Sequence, residues 1–155
     1  MTPRVAVVDA SALIALEQIG QLELLRLLFD EVVIPAAVAC EVSRSVSLPA
    51  WVRVRDAAPS GSVSAPGPPL HAGEREVIRL ALELRSFRVV LDERSARQVA
   101  ISLGLPFTGT VGLLLAAKRS GLLAEVKPFL DALLEAGFRV GTRVYENALR
   151  EACEE

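Results

Sequence analysis

Two apolar runs of the sequence end on an aspartate, a position in which a carboxylate can bind a metal ion. Val5 to Val8 leads directly into Asp9, and Val89 to Leu91 leads into Asp92. Such runs predict buried strands of a parallel sheet, and the carboxyl ends of those strands face the crevice where open α/β sheets bind ligands. Each aspartate has an alternative interpretation as the cap of the helix that follows, and Ser11 is a second candidate cap for the first of these helices.

Two glutamates are predicted to approach the same edge of the sheet from helices. Glu41 lies about two turns into a helix that begins near Pro35, and Glu74 lies in the first turn of a helix opened by Gly73. Both have ordinary structural interpretations. Glutamate is common on exposed helix surfaces, and acids are favoured in a first helical turn.

Four carboxylates at one edge of a sheet repel each other where the dielectric is low. Right-handed crossovers bring the ends of the first and fourth strands to one side, so Asp9 and Asp92 can converge there, with Glu41 and Glu74 close by. Mg²⁺ and Mn²⁺ prefer carboxylate and water ligands, bind phosphate oxygens and activate water. The pattern therefore predicts a divalent-metal site formed by these four acids.

A second group of polar residues has spacing that suits contact with a phosphate. Arg94 and Arg97 lie three residues apart on a predicted helix, where they either face one phosphate together or solvate a surface. Thr110 is interpreted as a helix cap or a site residue. His71, the only histidine, has no second His or Cys nearby and is interpreted as incidental. No Ser-His-Asp or Cys-His set is available for covalent catalysis.

Apolar runs alternate with amphipathic segments along the whole chain. This alternation predicts one domain over residues 1–155, a three-layer α/β/α sandwich around a mainly parallel sheet. Trp51 to Arg55 has the pattern of an edge strand, and Phe138 to Val140 is predicted as a last strand. The predicted helices cover 10–18, 21–29, 35–45, 73–84, 93–103, 110–120, 127–136 and a C-terminal segment from 142.

Residues 56–72 are predicted to form a flexible loop. They contain the whole of the proline- and glycine-rich stretch Ser60 to Pro69, which disfavours regular structure. A lid over the acidic site is the alternative interpretation. In either case the loop leads directly to the helix that carries Glu74.

Composition excludes several classes of protein. Hydrophobic residues make up 52% of the chain, but charged residues interrupt every apolar run, so no membrane span is predicted. No leader segment is recognised, and we expect a cytoplasmic protein. Two cysteines are too few for a disulfide framework. A net charge of −2 gives no global attraction to nucleic acid, so any phosphate binding must be local.

The sequence resembles the PIN-domain ribonucleases, and more closely a PIN-like branch of small prokaryotic proteins related to VapC-type toxins. The resemblance covers nearly the whole chain and rests on five segments that occur in order: VVDASALIAL, VVIPAAVACEV, GEREVIRLALEL, VVLDERSARQVA and FTGTVGLLLAAKRSGLL. No single segment is specific, whereas the ordered set is.

The resemblance implies an acidic quartet that matches the residues chosen above. By position, the quartet falls on Asp9, Glu41, Glu74 and Asp92, with Ser11 as the small hydroxyl residue near the first acid. The third acid is usually Asp in active VapC-like enzymes and is Glu here. Its longer arm shifts the expected metal position, and Glu76 is the alternative ligand.

The resemblance implies a Mg²⁺- or Mn²⁺-dependent endoribonuclease that hydrolyses RNA phosphodiester bonds. Ser11, Arg94, Arg97 and Thr110 are the expected substrate contacts. If the toxin analogy holds, an antitoxin protein that blocks the acidic site is a partner, and we also expect a homodimer. Two alternatives stay open: a noncatalytic module that binds nucleic acid or protein, and a receiver-like domain phosphorylated on Asp92.

Overall fold

The computed structural model describes residues 2–59 and 67–155, and a parallel five-stranded sheet lies at its centre. The strand order is β3-β2-β1-β4-β5, and every neighbouring pair is parallel. The strands are β1 (Val5–Val8), β2 (Glu31–Ile34), β3 (Val52–Val54), β4 (Arg88–Val90) and β5 (Phe107–Thr108). The predicted edge strand is confirmed, because β3 lies at one edge.

Helices cover both faces of this sheet, and the predicted three-layer α/β/α sandwich is confirmed. The helices are α1 (Ala10–Gln18), α2 (Glu23–Leu28), α3 (Ala36–Val42), α4 (Ala72–Leu84), α5 (Arg94–Ser102), α6 (Thr110–Arg119), α7 (Lys127–Glu135) and α8 (Thr142–Glu151). Helix α3 packs against both α1 and α4, and α4 packs against α5. Helix α6 packs with α1 and α2.

The register of β1 explains how two acids reach one place. Val7 lies beside Val33 of β2 and Val89 of β4, so β1 is the central strand and is buried on both faces. The Asp9 backbone N–H continues the β1–β4 ladder by donating to the Val90 carbonyl at 3.1 Å. Asp9 and Asp92 therefore follow the carboxyl ends of two adjacent strands.

The predicted strand at Phe138 to Val140 is wrong. These residues have no regular structure, and the Phe138 N–H donates to the Leu133 carbonyl at 3.0 Å, beyond the end of α7. An amide used to close a helix end is not free for a sheet ladder. The segment lines a surface groove instead.

Glu154, which follows α8, connects the C-terminal helices by hydrogen bonds. The Glu154 carboxylate accepts hydrogen bonds from the Val126 N–H and the Lys127 N–H at the start of α7, and from Lys118 Nζ of α6. Burial raises the pKa of the Glu154 carboxyl, but the hydrogen bonds together outweigh this effect and lower the pKa below its usual range. They hold α7 beside α6, which begins at the acidic site.

Two further expectations concern the predicted loop and membrane-spanning helices. Residues 60–66, in the middle of the predicted loop, lie outside the described residues. Within 2–59 and 67–155, no helix has the length and apolar character that crossing a membrane requires.

Candidate functional site

Asp9 is buried at the carboxyl edge of the sheet. Only 3% of the residue is exposed. Its carboxylate caps α1 by accepting from the Ala12 N–H at 2.9 Å, and it also accepts from the Asp92 N–H at 3.3 Å. Asp9 therefore caps α1, and it also lies at the carboxyl edge of the sheet. Burial raises the pKa of Asp9 from 3.8 to about 7, with smaller contributions from the negative charges of Asp92 and Glu74.

Asp92 is not a helix cap, since Glu93 occupies the cap position of α5. The Asp92 carboxylate accepts from the Thr110 N–H at 2.8 Å and from the Thr110 hydroxyl at 2.6 Å. Gly109, not Thr110, occupies the cap position of α6, so the cap predicted at Thr110 is wrong. The Thr110 side chain instead connects the start of α6 to Asp92.

Glu74 is the second buried acid, with 5% of the residue exposed. Its Oε1 accepts from the His71 N–H at 3.4 Å, and the Glu74 N–H donates to His71 Nδ1 at 3.4 Å, which together form a capping box at the start of α4. Glu74 Oε2 is buried, and among the described residues it has no hydrogen-bond partner. His71 was interpreted as incidental, but it is the cap that orients Glu74.

Glu41 reaches the same place from α3 and is exposed. It faces Gly73 of α4 closely, and a Cβ atom on Gly73 would lie 2.8 Å from Glu41 Oε1. The absence of a side chain at Gly73 thus permits α3 and α4 to bring their acids together. A small cleft is lined by Asp9, Ala10, Ser11, Val38, Glu41, His71, Gly73, Glu74 and Glu93.

Glu93 is a site residue that the sequence reasoning missed. Its Oε1 accepts from the Ser11 hydroxyl at 3.3 Å, and both residues line the cleft. Its position directly after Asp92 could have indicated a place near the acids, but Glu93 was used only to predict the start of a helix. The cleft therefore holds four acids, and Asp92 lies at its border.

Glu76, the alternative to Glu74, points elsewhere. Its carboxylate accepts two hydrogen bonds from Arg79 at 2.8 and 3.0 Å, and it does not line the cleft. Only Glu74 of the two is brought to the other acids.

The two predicted phosphate-binding arginines lie in different surroundings. Arg97 points back toward the strand end, with Nη2 at 3.7 Å from Asp92 Oδ1. Arg94 is exposed, and within the described residues its side chain forms no hydrogen bond or ion pair. Arg97 lines a groove of about 680 Å³ beside the cleft, together with Ser11, Asp92 and Thr110, whereas Arg94 does not.

The residues of the cleft fit a divalent cation. As the side chains stand, no three His, Cys, Asp or Glu groups in the described ranges are close enough to share one ion. The unpaired, buried Glu74 Oε2 and the raised pKa of Asp9 nevertheless mark a site with excess negative charge. A hard cation would satisfy both, and Glu41, which lines the same cleft, offers further carboxylate oxygens of the kind such a cation prefers.

We expect His71→Ala to lower stability and to leave chemistry nearly intact. Loss of the cap should cost about 1 kcal/mol of unfolding free energy. Any metal-dependent RNA cleavage should stay within a few-fold of wild type, because His71 orients Glu74 from outside the acid set. His71→Asn is the matched control, since Asn also caps helices, and thermal melts should show it close to wild type. Cleavage lost by His71→Ala with the fold retained would contradict this assignment.

Comparison with known proteins identifies one relationship. A family model described as a PIN domain matches residues 5–154. No curated protein matches the chain. The matched range includes all the acids of the cleft, together with Asp92.

Proposed function

The chain belongs to the PIN-domain family, and from this premise we propose that it is a Mg²⁺- or Mn²⁺-dependent endoribonuclease. Members of this family are generally nucleases that use divalent metal ions. For this chain we propose that the substrate is RNA, that activity depends on metal, and that the residues named below carry the reaction.

The observation that carries the proposal is the unbalanced charge of the cleft. Asp9 and Glu74 are almost fully buried, and the described residues place no lysine or arginine against either carboxylate. Within the described residues, the basic group in contact is His71, whose Nε2 lies 3.4 Å from Glu74 Oε1. Burying two carboxylates with so little opposing charge costs free energy. A bound cation removes that cost.

We assign metal binding to Asp9, Glu41, Glu74 and Asp92. When bound there, Mg²⁺ or Mn²⁺ supplies positive charge for the phosphate oxygens and lowers the pKa of water. The chain's own residues do the rest. Asp9 and Glu74 are held rigidly by helix caps, Thr110 fixes the Asp92 carboxylate, and Ser11 lies at the border with the groove.

The groove beside the acids is the proposed path of the RNA. Its volume of about 680 Å³ suits one or two nucleotides more than a duplex, and its lining includes Phe107, Phe138 and Arg139. Aromatic and arginine side chains stack on bases and bind backbone phosphates. We propose Arg97, Ser11 and Thr110 as substrate contacts in this groove, and Arg94 as an exposed contact to flanking phosphate.

Two further partners belong to the proposal through the resemblance to VapC-type toxins. One is an antitoxin protein that blocks the acidic cleft, and the other is a second copy of the chain in a homodimer. Size measurement of the purified chain, alone and after coexpression with the product of a neighbouring gene, tests both.

The function is tested by cleavage of single-stranded RNA with and without metal. Wild type should cleave in Mn²⁺ or Mg²⁺ and should be inactive in EDTA. Asp9→Asn should lower the rate by roughly 100-fold or more, because it removes a charged ligand while keeping the α1 cap. Binding of RNA without cleavage by wild type under any metal condition would favour a noncatalytic module instead.

A further inference from the structure

The Arg97 guanidinium lies beside Asp92 and has contacts on three sides. Its Nε donates to the Leu91 carbonyl at 2.7 Å, and Nη2 lies 3.7 Å from Asp92 Oδ1. The guanidinium carbon is 5.8 Å from the centre of the Phe107 ring, within the range of a cation–π contact. The side chain comes from α5 but ends beside the carboxyl ends of β4 and β5.

Gly109 makes room for this arrangement. A Cβ atom there would overlap Arg97 Nη2 and would lie 2.7 Å from Asp92 Oδ1. The backbone of Gly109 is extended, with φ of −120°, so its conformation does not require glycine. Space for the guanidinium is the physical reason for a residue without a side chain at this position.

The acids are divided between two neighbouring spaces. Asp9, Glu41 and Glu74 line the cleft, whereas Asp92 and Arg97 line the groove. Ser11 and Glu93 line both and form the border between them. Glu74 Oε2, which accepts no hydrogen bond within residues 2–59 and 67–155, lies on the cleft side, while both Asp92 oxygens accept hydrogen bonds from Thr110.

We propose that Arg97 is a fixed positive charge that takes the place of a second metal ion, so that the centre binds one divalent cation. This inference rests on the proposed function, and it refines how the same site handles a phosphate. The single ion lies on the side of Asp9, Glu41 and Glu74. The positive charge of Arg97 offsets the negative charge of Asp92, and its remaining N–H groups face the groove.

The chemistry of arginine supports this role. A guanidinium stays charged at every pH used for proteins and donates several hydrogen bonds in a fixed plane. Its Nε is occupied by Leu91, and 40% of the side chain is exposed, so the Nη groups can meet a phosphate oxygen. A second divalent ion on Asp92 would have to displace this cation, and like charges disfavour that. The partly exposed Arg97–Asp92 pair itself contributes little to stability.

Mn²⁺ binding to the full chain tests the inference without any RNA. The free-ion signal in electron paramagnetic resonance gives the number of bound ions and their dissociation constants. Wild type should bind one Mn²⁺ per chain. Arg97→Ala should bind a second ion, or bind Mn²⁺ at least about tenfold more tightly, because it removes a positive charge beside Asp92.

Two further variants show whether a change in Mn²⁺ binding is specific to the position of the Arg97 guanidinium. Gly109→Ala keeps Arg97 in the chain but fills the space beside Asp92, so it should change Mn²⁺ binding in the same direction. It also serves if Arg97→Ala fails to fold. Arg94→Ala is the matched control, since it removes the same charge from the same helix at an exposed position, and it should bind Mn²⁺ as wild type does.

A second probe reports the phosphate role. Arg97→Ala with Mn²⁺ bound should bind a nonhydrolysable dinucleotide at least about tenfold more weakly than wild type does, because a charged hydrogen bond to phosphate is lost.

Two results would overturn the inference: two equally tight Mn²⁺ ions on wild type, or identical Mn²⁺ binding by the Arg97→Ala and Arg94→Ala proteins. Either result with RNA cleavage intact would leave the proposed function standing. One Mn²⁺ per wild-type chain without cleavage would defeat the function and leave the ion count in place.

Discussion

Asp9→Asn should melt at a higher temperature than wild type at pH 8 in EDTA, although it destroys the proposed active site. A pKa raised from 3.8 to about 7 means that ionising Asp9 in the folded protein costs on the order of 4 kcal/mol. Asn avoids this cost and can keep the bond from the Ala12 N–H. The Asn amide group cannot also accept the hydrogen bond from the Asp92 N–H, and this loss lowers the unfolding free energy of the variant by about 1 to 2 kcal/mol. A net rise of roughly 5 to 10 °C is expected for a chain of this size.

The pH dependence of this difference has a definite sign. Between pH 3.8 and about 7 the folded protein binds more protons at Asp9 than the unfolded chain does. Stability of wild type therefore falls as the pH rises through that window, and the loss is complete above pH 7. The difference between the two proteins should be small near pH 4, grow toward pH 7 and stay constant above it.

Metal should reduce the difference between the two melting temperatures. A cation that binds only the folded state stabilises it by mass action, by about 2.7 kcal/mol at 100 times its dissociation constant. Millimolar Mn²⁺ should therefore raise the melting temperature of wild type more than that of Asp9→Asn. If Asp9 were only a helix cap in a neutral environment, the two proteins would melt alike with and without Mn²⁺. That result would rule out the metal site.

Glu74→Gln should abolish cleavage, whereas Glu76→Gln should not. Gln keeps the oxygen that accepts from the His71 N–H, so the capping box and the fold should be retained. The variant loses the buried charge of the unpaired Oε2. We expect cleavage to fall by roughly 100-fold or more and Mn²⁺ to bind at least about tenfold more weakly, because a charged metal ligand is replaced by a neutral one.

Glu76→Gln is matched to it in chemistry and helix. Glu76 pairs with Arg79 in a partly exposed position, and such pairs contribute about 1 kcal/mol or less. Cleavage and Mn²⁺ affinity should therefore stay within a few-fold of wild type. Rates of RNA cleavage and Mn²⁺ titrations of both variants provide the measurement. The opposite pattern would assign the third acid to Glu76.

Local patterns in the sequence were enough to predict the sheet and the pair of aspartates. The apolar runs before Asp9 and Asp92 predict buried parallel strands, and the structure has β1 and β4 as neighbours. This succeeds because a run of β-branched residues that ends on an acid satisfies strand propensity, burial and helix entry with the same few residues. The helices were predicted for the same reason, since their apolar periodicity is also local.

Short polar segments were predicted less well. Phe138 to Val140 alternates as a strand does, but its first amide is used to close the end of α7. Thr110 has the side chain of a helix cap, but its hydroxyl is drawn to Asp92, which is distant in sequence. Three residues or fewer do not carry enough local preference to override such a contact.

The choice among similar side chains was made only by tertiary packing. Glu74 and Glu76 differ by two positions on α4, which places them on opposite sides of the helix, and burial of the α4 face against the sheet brings Glu74 alone to the cleft. Arg94 and Arg97 share a helix side, yet only Arg97 can reach Asp92, through the space left by Gly109. Sequence spacing specifies which side chains share an element, whereas the distances between elements decide which carboxylates and cations meet.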